Sequence, residues 1–288
     1  MAHSPLATPS ATREVLDRFG LAPNKSLGQH FLIDDNVVGR ILAMAQLSKE
    51  SVVVEVGPGI GTLTAALCRE AGEVVAVERD SALLPALEAL SEGCGHLRIV
   101  RADAVRVDLA RLTTPDGPPD RMVANLPYAV AATVVLRFFE EMESLRSAVV
   151  MVQAEVADRM AASPGSKDYG SYTVKLQLRA LPSGRFAVPR GCFMPPPRVD
   201  SAVLRLDRSD RPVPDALAAL AGRLANSAFA QRRKTLRNSV LGTSGVDPAA
   251  FDRALEAAEI DGRRRAESLA VAEYVTLAGA LRASGAEL

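Results

Sequence analysis

The sequence predicts an α/β fold: a doubly wound, seven-stranded, mostly parallel sheet followed by a small all-helical domain. Three observations carry this. Apolar, β-branched runs alternate with helical periodicity from Ser51 to about Asp207. The first of those runs ends in Gly57-Pro58-Gly59-Ile60-Gly61 and opens directly into a helical pattern. Beyond the polar, proline-bearing stretch Arg208 to Pro214, alanine- and leucine-rich patterns continue without a further strand.

Taken in order, residues 1–24 read as a flexible tail, and Met1 to Ser10 lacks the charged and apolar regions of a signal peptide. Residues 25–50 form a basic, then glycine-bearing, then apolar segment suited to covering a ligand, and they open a domain running to residue 207. Ser51 to Val56 is the strand expected when both faces are buried, and Thr62, Leu63, Ala66 and Leu67 start its helix. Glu73–Val77, Leu97–Ala102, Arg121–Ala124 and Ser147–Val152 supply four more strands. Tyr172–Leu178 and Val199–Leu206 are alternating runs with no long helix between them, which predicts an antiparallel pair closing the sheet. Met194-Pro195-Pro196-Pro197 reads as a stiff connector. Residues 208–288 form the helical domain.

Successive strands end in the glycine turn, Glu78, Asp103 and Asn125-Leu126-Pro127-Tyr128, so polar groups converge on the carboxyl edge of one parallel sheet, where such sheets bind ligands. A carboxylate about twenty residues beyond the glycines suits ribose hydroxyls, and Asp103 suits the amino group of a cofactor adenine. The tetrapeptide suits chemistry at an exocyclic amine. That nitrogen's lone pair is delocalised into its ring, so a site must accept its hydrogens, turn the lone pair toward a methyl donor and hold the base flat. Asn125 and the Leu126 carbonyl can accept. Pro127 biases Leu126 toward extended geometry, and Tyr128 offers a π face to an unstacked base.

Other classes fit less well. No GxxxxGK[ST] is present, the glycine spacing is not GxGxxG, and a tetrapeptide for amines has no role in hydride transfer. S-adenosylmethionine has ribose and adenine but no phosphate to neutralise. His3, His30 and His96 are scattered, none at ligand spacing with a cysteine, so no metal is expected. Cys68, Cys94 and Cys192 form no CxxC, which predicts free thiols in a reducing cytoplasm. No apolar run is long enough to cross a bilayer. With 34 basic and 34 acidic residues the chain does not advertise a polyanion partner. Distribution can still supply one, through Arg223, Arg232, Arg233, Lys234 and Arg237, with Arg263 to Arg265 following. Read as one continuous helix, Phe229, Leu236 and Val240 share a face with Arg223, Lys234 and Arg237 on its flank.

Ordered motifs resemble the KsgA/RsmA family of small-subunit ribosomal RNA adenine dimethyltransferases. They are KSLGQHFLID (25–34), EVGPGIGTLT (55–64), AVERD (76–80), RADAVRVDL (101–109), NLPY (125–128), QAEVADRM (153–160), YGSYTVKLQL (169–178), FMPPPRVDSAVLRL (193–206) and FAQRRKTLRNSV (229–240). The resemblance implies a Rossmann-like class I methyltransferase fold and dimethylation of two adjacent adenosines in a hairpin loop near the 3′ end of 16S ribosomal RNA. It implies that His30, Leu32, Gly57, Gly59, Gly61, Glu78, Asp103, Ala104 and Asn125 hold the cofactor. Asn125 to Tyr128 would serve the target, with Phe193 flanking it opposite Tyr128, and the basic cluster would touch RNA. Many relatives carry asparagine where this chain has His30.

Two other functions share parts of this pattern. Erm-type methyltransferases of 23S ribosomal RNA have a similar cofactor site and tetrapeptide, but FMPPPRVDSAV and FAQRRKTLRN resemble the small-subunit family. A ribosome-assembly factor with methylation secondary is the second. A monomer suits a large ribonucleoprotein substrate.

Overall fold

The computed structural model describes residues 2–24, 28–210 and 213–285. Lys25, Ser26 and Leu27, which open the first family motif, lie outside the described residues, as do residues 211–212 of the expected linker. The chain divides into two compact units, Met1–Ala157 with Pro182–Arg208, and Asp158–Leu181 with Ser209–Leu288.

The first unit begins with helix α1 (Pro9–Arg18), strand β1 (Phe31–Leu32) and helix α2 (Asp35–Ala45). The doubly wound part follows as β2 (Val52–Val56), α3 (Thr62–Glu70), β3 (Glu73–Glu78), α4 (Leu84–Ser91), β4 (Leu97–Arg101), β5 (Arg121–Asn125), α5 (Ala131–Glu141), β6 (Ser147–Gln153) and α6 (Ala154–Met160), the last running across the boundary. After α7 (Ser171–Gln177) come β7 (Ala180–Val188), β8 (Phe193–Met194) and β9 (Ser201–Arg208). The sheet order is β4-β3-β2-β5-β6-β9-β7. Strands β2 to β6 pair in parallel, and β9 runs antiparallel to β6 from Ser147↔Asp207 to Gln153↔Ser201. All five residues of β2 are buried, because helices cover both faces. The expected five parallel strands agree with these to within two residues.

Four expectations need correction. Tyr172–Leu178 is helix α7, not a strand. Over so short a window alternation does not exclude a helix, and Val174, Leu178 and Thr173 are buried by the second unit's core, where Gly222 lets the Lys175 stem approach. The edge strand is instead β7, whose Pro182, Ser183 and Gly184 look like a turn but are tolerated at an edge. The N-terminal residues are not a free tail. Thr8 caps α1 by accepting from the Ala11 amide at 3.2 Å, with Pro9 in the first turn. Leu16 packs with Phe31, Ile60 and Leu83, and Asp35 accepts from the amides of His3 and Ser4 at 2.9 and 2.8 Å. Finally, Cys68 and Cys94 are joined in a disulfide, with Cys192 free, and the His96 ring stands at 3.7 Å from the Cys94 sulfur. Sequence separation hid a meeting made by α3 and the loop before β4.

The second unit consists of α7 with α8 (Asp215–Phe229), α9 (Leu236–Ser244), α10 (Pro248–Ala257) and α11 (Val271–Ala283). Its core gathers Leu224, Leu236, Phe251, Tyr274 and Leu277. The continuous helix expected over 223–240 is broken after Phe229. Thr235 caps a new helix by accepting from the Asn238 amide, so no single wheel relates Arg223 to Arg237. Truncating Leu16 to Ala should destabilise the first unit by about 2 kcal/mol, measured by urea denaturation; an unchanged midpoint would show that α1 is not part of the cooperative unit.

Candidate active site

The carboxyl ends of β2 to β5 and the segment before and within β1 enclose a cleft of about 1210 Å³, open mouth included. Its lining brings together His30, Leu32, Gly57, Gly59, Glu78, Asp103, Ala104, Asn125, Leu126, Pro127 and Tyr128. Two predicted residues are absent from that wall. Gly61 caps α3 at φ 90°, and a Cβ there would meet the Leu90 side chain at 2.8 Å, so it serves the turn and its packing. Phe193 is 2 % exposed and lies in the core with Leu32, Val188 and Val203. The reason is register: β8 pairs antiparallel with β1, Phe193 opposite Leu32 and Met194 opposite Phe31. Period-two alternation then sends Phe193 inward with Leu32, whereas Phe31 and Met194 share the other face with Ile60.

The ring beside Tyr128 is instead His30, with centroids 5.8 Å apart and planes 29° from parallel. His30 Nδ1 donates to the Pro195 carbonyl at 2.8 Å, so the proline segment orients the imidazole. The Tyr128 hydroxyl is paired with Ser201 Oγ at 2.6 Å, anchoring the phenol to β9, and burial pushes its pKa up. Asn125 Nδ2 donates to the His30 carbonyl at 3.3 Å. That bond selects the amide's orientation and leaves Oδ1 as its acceptor. Backbone approach is equally tight. Gly57 has φ 70°, and a Cβ there would stand 3.1 Å from Pro127 Cδ; at Gly59, φ 63°, it would press on the Phe31 ring at 3.3 Å.

Glu78 is 6 % exposed, and its carboxyl accepts from the amides of Asp80 at 2.8 Å and Gly59 at 3.3 Å. Burial raises its pKa against those bonds. Asp103 accepts from the Val105 amide at 2.9 Å and faces Arg79 at 3.6 Å. From α5, Arg137 donates to the carbonyls of Ala104 and Val107 at 2.9 and 2.7 Å, holding this loop.

Sequence reading passed over Arg79, Arg137, Thr62 and above all Glu55. Glu55 is 1 % exposed on the cleft floor, and burial pushes its carboxyl up to about 8, opposed by the neighbouring Thr64 hydroxyl and helped by the charge of Glu78. A lone glutamate in the run VVVEV was the available signal. Glu55 Oε2 and the hydroxyl of Thr62, both in the cleft lining, have no hydrogen-bond partner among the described residues. Buried oxygens left unpaired are costly unless a ligand completes them. They fit a ligand with donors and a carboxylate: Oε2 can accept, and Thr62 Oγ1 can donate at the start of α3, where anions are favoured. Among the described residues no helix is long and apolar enough to cross a membrane.

Because Glu55 has a raised folded pKa, its contribution to stability is complete below about 4.5 and is lost as pH rises through about 8. The wild type should therefore lose stability across that window with a slope of about 1.4 kcal/mol per pH unit from this group. Glu55→Gln should flatten the slope in urea titrations at pH 5 to 9; an identical pH profile in the variant would refute the assignment.

Comparison with known proteins follows the same lines. A family model described as ribosomal RNA adenine dimethylase matches residues 20–279. The chain is 44 % identical over 286 residues to ribosomal RNA small subunit methyltransferase A of Geobacillus thermodenitrificans strain NG80-2, spanning 97 % of this chain and 98 % of that one. It is 42 % identical over 295 residues to the protein of the same name from Pelotomaculum thermopropionicum, spanning 98 % and 99 %. Among solved structures, the 23S rRNA methyltransferase ErmE superposes with a TM-score of 0.64 at 25 % identity, covering 88 % of this chain and 99 % of ErmE. A dimethyladenosine transferase from Plasmodium falciparum shares the fold, with a TM-score of 0.70 at 22 % identity over 89 % of this chain and 98 % of that one. Near-complete coverage by the family model, together with relatives above 40 % identity along both lengths, places the chain in the ribosomal RNA adenine dimethylase family.

Proposed function

We propose that this protein uses S-adenosylmethionine to dimethylate N6 of two adjacent adenosines in a hairpin loop near the 3′ end of 16S ribosomal RNA, during small-subunit assembly in the cytoplasm. The observation that carries the reading is the Asn125 amide. Its nitrogen is engaged by the His30 carbonyl, so Oδ1 is the available acceptor beside the Leu126 carbonyl. Two acceptors match the two hydrogens of an exocyclic amine. The small-subunit target is favoured over 23S RNA because the relatives named for the small subunit are 42–44 % identical along the whole chain, against 25 % for ErmE.

In this reading Glu78 accepts from the ribose hydroxyls, and Asp103, held by Arg79 and the Arg137-braced loop, accepts from the adenine amine of the cofactor. The unpaired oxygens of Glu55 and Thr62 meet the methionine end. The bound cofactor supplies an electrophilic methyl on sulfur. The protein's own contribution is positioning and exclusion of water. Asn125 Oδ1 and the Leu126 carbonyl turn the amine's lone pair toward that methyl, and the attacking nitrogen becomes acidic enough for water to take its proton. A ring pair at 5.8 Å leaves no slot for a base between His30 and Tyr128, so the target rests on the other face of Tyr128. Exposed Arg223, Arg232, Arg233 and Lys234 would serve the RNA backbone, whereas Arg237 is committed to Asp252 at 2.6 Å. A monomer suffices for this chemistry.

Labelled S-adenosylmethionine with undermethylated small subunits, and in parallel with large subunits, followed by nucleoside analysis and primer extension, should yield N6,N6-dimethyladenosine at two adjacent positions of 16S RNA; product in 23S RNA alone would sink the reading. Asn125→Ala should lower turnover by at least about 100-fold with an unchanged melting curve. Arg233→Glu with Lys234→Glu should weaken subunit binding and flatten its salt dependence by about one to two charges, measured by sedimentation across a salt series, whereas Arg237→Ala should leave that slope unchanged.

A further inference from the structure

Away from the cleft, α3 and the loop before β4 bring two cysteines and a histidine together. The parallel sheet places this cluster at its amino edge: Cys68 lies two residues before the end of α3, and His96 directly precedes β4. Cys68 and Cys94 have Cα atoms 6.2 Å apart, within reach of a disulfide without backbone movement. His96 Nε2 is 2.8 Å from the Cys68 carbonyl. A carbonyl only accepts, so Nε2 carries the hydrogen, and the same N–H stands 3.7 Å from Cys94 Sγ. The three ligating atoms lie within 4.8 Å of one another.

We propose that Cys68, Cys94 and His96 form a reversible thiol–disulfide site whose partners are low-molecular-weight thiols and their disulfides. The two cysteine residues differ in exposure. Cys68 is only partly buried, whereas Cys94 is 6 % exposed. In reduction, an external thiolate attacks Cys68 Sγ; the Cys68–Cys94 bond breaks and its electron pair leaves on Cys94 Sγ, beside the His96 N–H. A second external thiolate attacks the mixed disulfide, releasing the Cys68 thiolate and the small-molecule disulfide. Both cysteine thiolates then take protons from solvent. Oxidation runs the same steps backward, with a small-molecule disulfide accepting the two electrons. A donor that stabilises the Cys94 thiolate makes it the better leaving group. The closed form clamps the helix that follows the glycine turn to the loop leading into β4, the strand after which Asp103 stands, spanning 26 residues of chain.

The test uses the full-length protein. It is reduced, then incubated with oxidised glutathione, alkylated and mapped by mass spectrometry without reductant. Cys68 and Cys94 should appear as one linked pair with Cys192 alkylated, and the reduced protein should melt about 5–10 °C lower. His96→Ala should slow reduction by dithiothreitol about tenfold while methyl transfer is unchanged. Cys68 and Cys94 both remaining alkylatable after oxidation would overturn the proposal. So would an unaltered reduction rate in His96→Ala, or a reduced protein that carries one equivalent of zinc through gel filtration with both thiols protected, which would make the cluster a metal site.

Discussion

One close approach organises the site: the Pro127 ring crowds the position a Cβ of residue 57 would take, at 3.1 Å. The glycine turn and NLPY stand at the ends of neighbouring strands, β2 and β5, and they meet closely because Gly57 ends at its Cα and accepts φ 70°. The same holds on the other side, where Gly59 makes way for the Phe31 ring. Glycine at these positions is thus a matter of letting protein meet protein as much as of letting a ligand meet backbone. Phe31 in turn is held by Leu16 of α1 and by the pairing of β1 with β8. A contact of a few ångströms at the turn therefore draws in segments more than a hundred residues away.

The second constraint is electrostatic. Glu55 and Glu78 are both buried beside one cleft; burial raises the pKa of each, with the charge of Glu78 adding to the rise at Glu55 and that of Asp80 to the rise at Glu78. Such a floor is poorly suited to phosphates and well suited to a ligand with positive charge, which would relieve the burial cost that raises both carboxyl pKa values. Arg79 facing Asp103 moderates the acidity only at the outer end. The neutral net charge of the chain conceals this: acidity concentrated at the cleft is balanced by arginines elsewhere, several of which are spent on partners of their own, Arg237 on Asp252, Arg263 on Asp261 and Arg264 on Glu273.

What could be read in the sequence was whatever a local period or a strand end encodes. The five parallel strands, the glycine turn and the acids at strand ends were legible because doubly buried strands are continuous apolar runs and ligands gather at one edge. Other features were not, and three of them show why. Tyr172–Leu178 alternates like a strand, yet tertiary burial in the second unit makes it α7. The direction of Phe193 depends on the register of a two-residue pairing with Phe31–Leu32, which no local pattern records. Glu55 was read only as part of an apolar strand; its meaning lies in burial and in an oxygen left unpaired among the described residues, which only the assembled cleft reveals.

His30 shows how such a site can change a residue and keep its geometry. Where an asparagine would offer an amide, this chain offers a ring, and three different groups restrain it: the Pro195 carbonyl on Nδ1, the Tyr128 face, and the Asn125 amide on its own carbonyl. The last contact matters most for the proposed chemistry, because it uses backbone, which every residue type supplies. Substitution at position 30 can therefore alter what the side chain says to a ligand without disturbing the bond that aims Asn125. Tyr128 is restrained the same way from two sides, its hydroxyl by Ser201 and one face by His30. A reaction that needs alignment rather than a strong base depends on such restraint, and here the restraint comes from β9 and the proline segment, elements that carry none of the reacting groups.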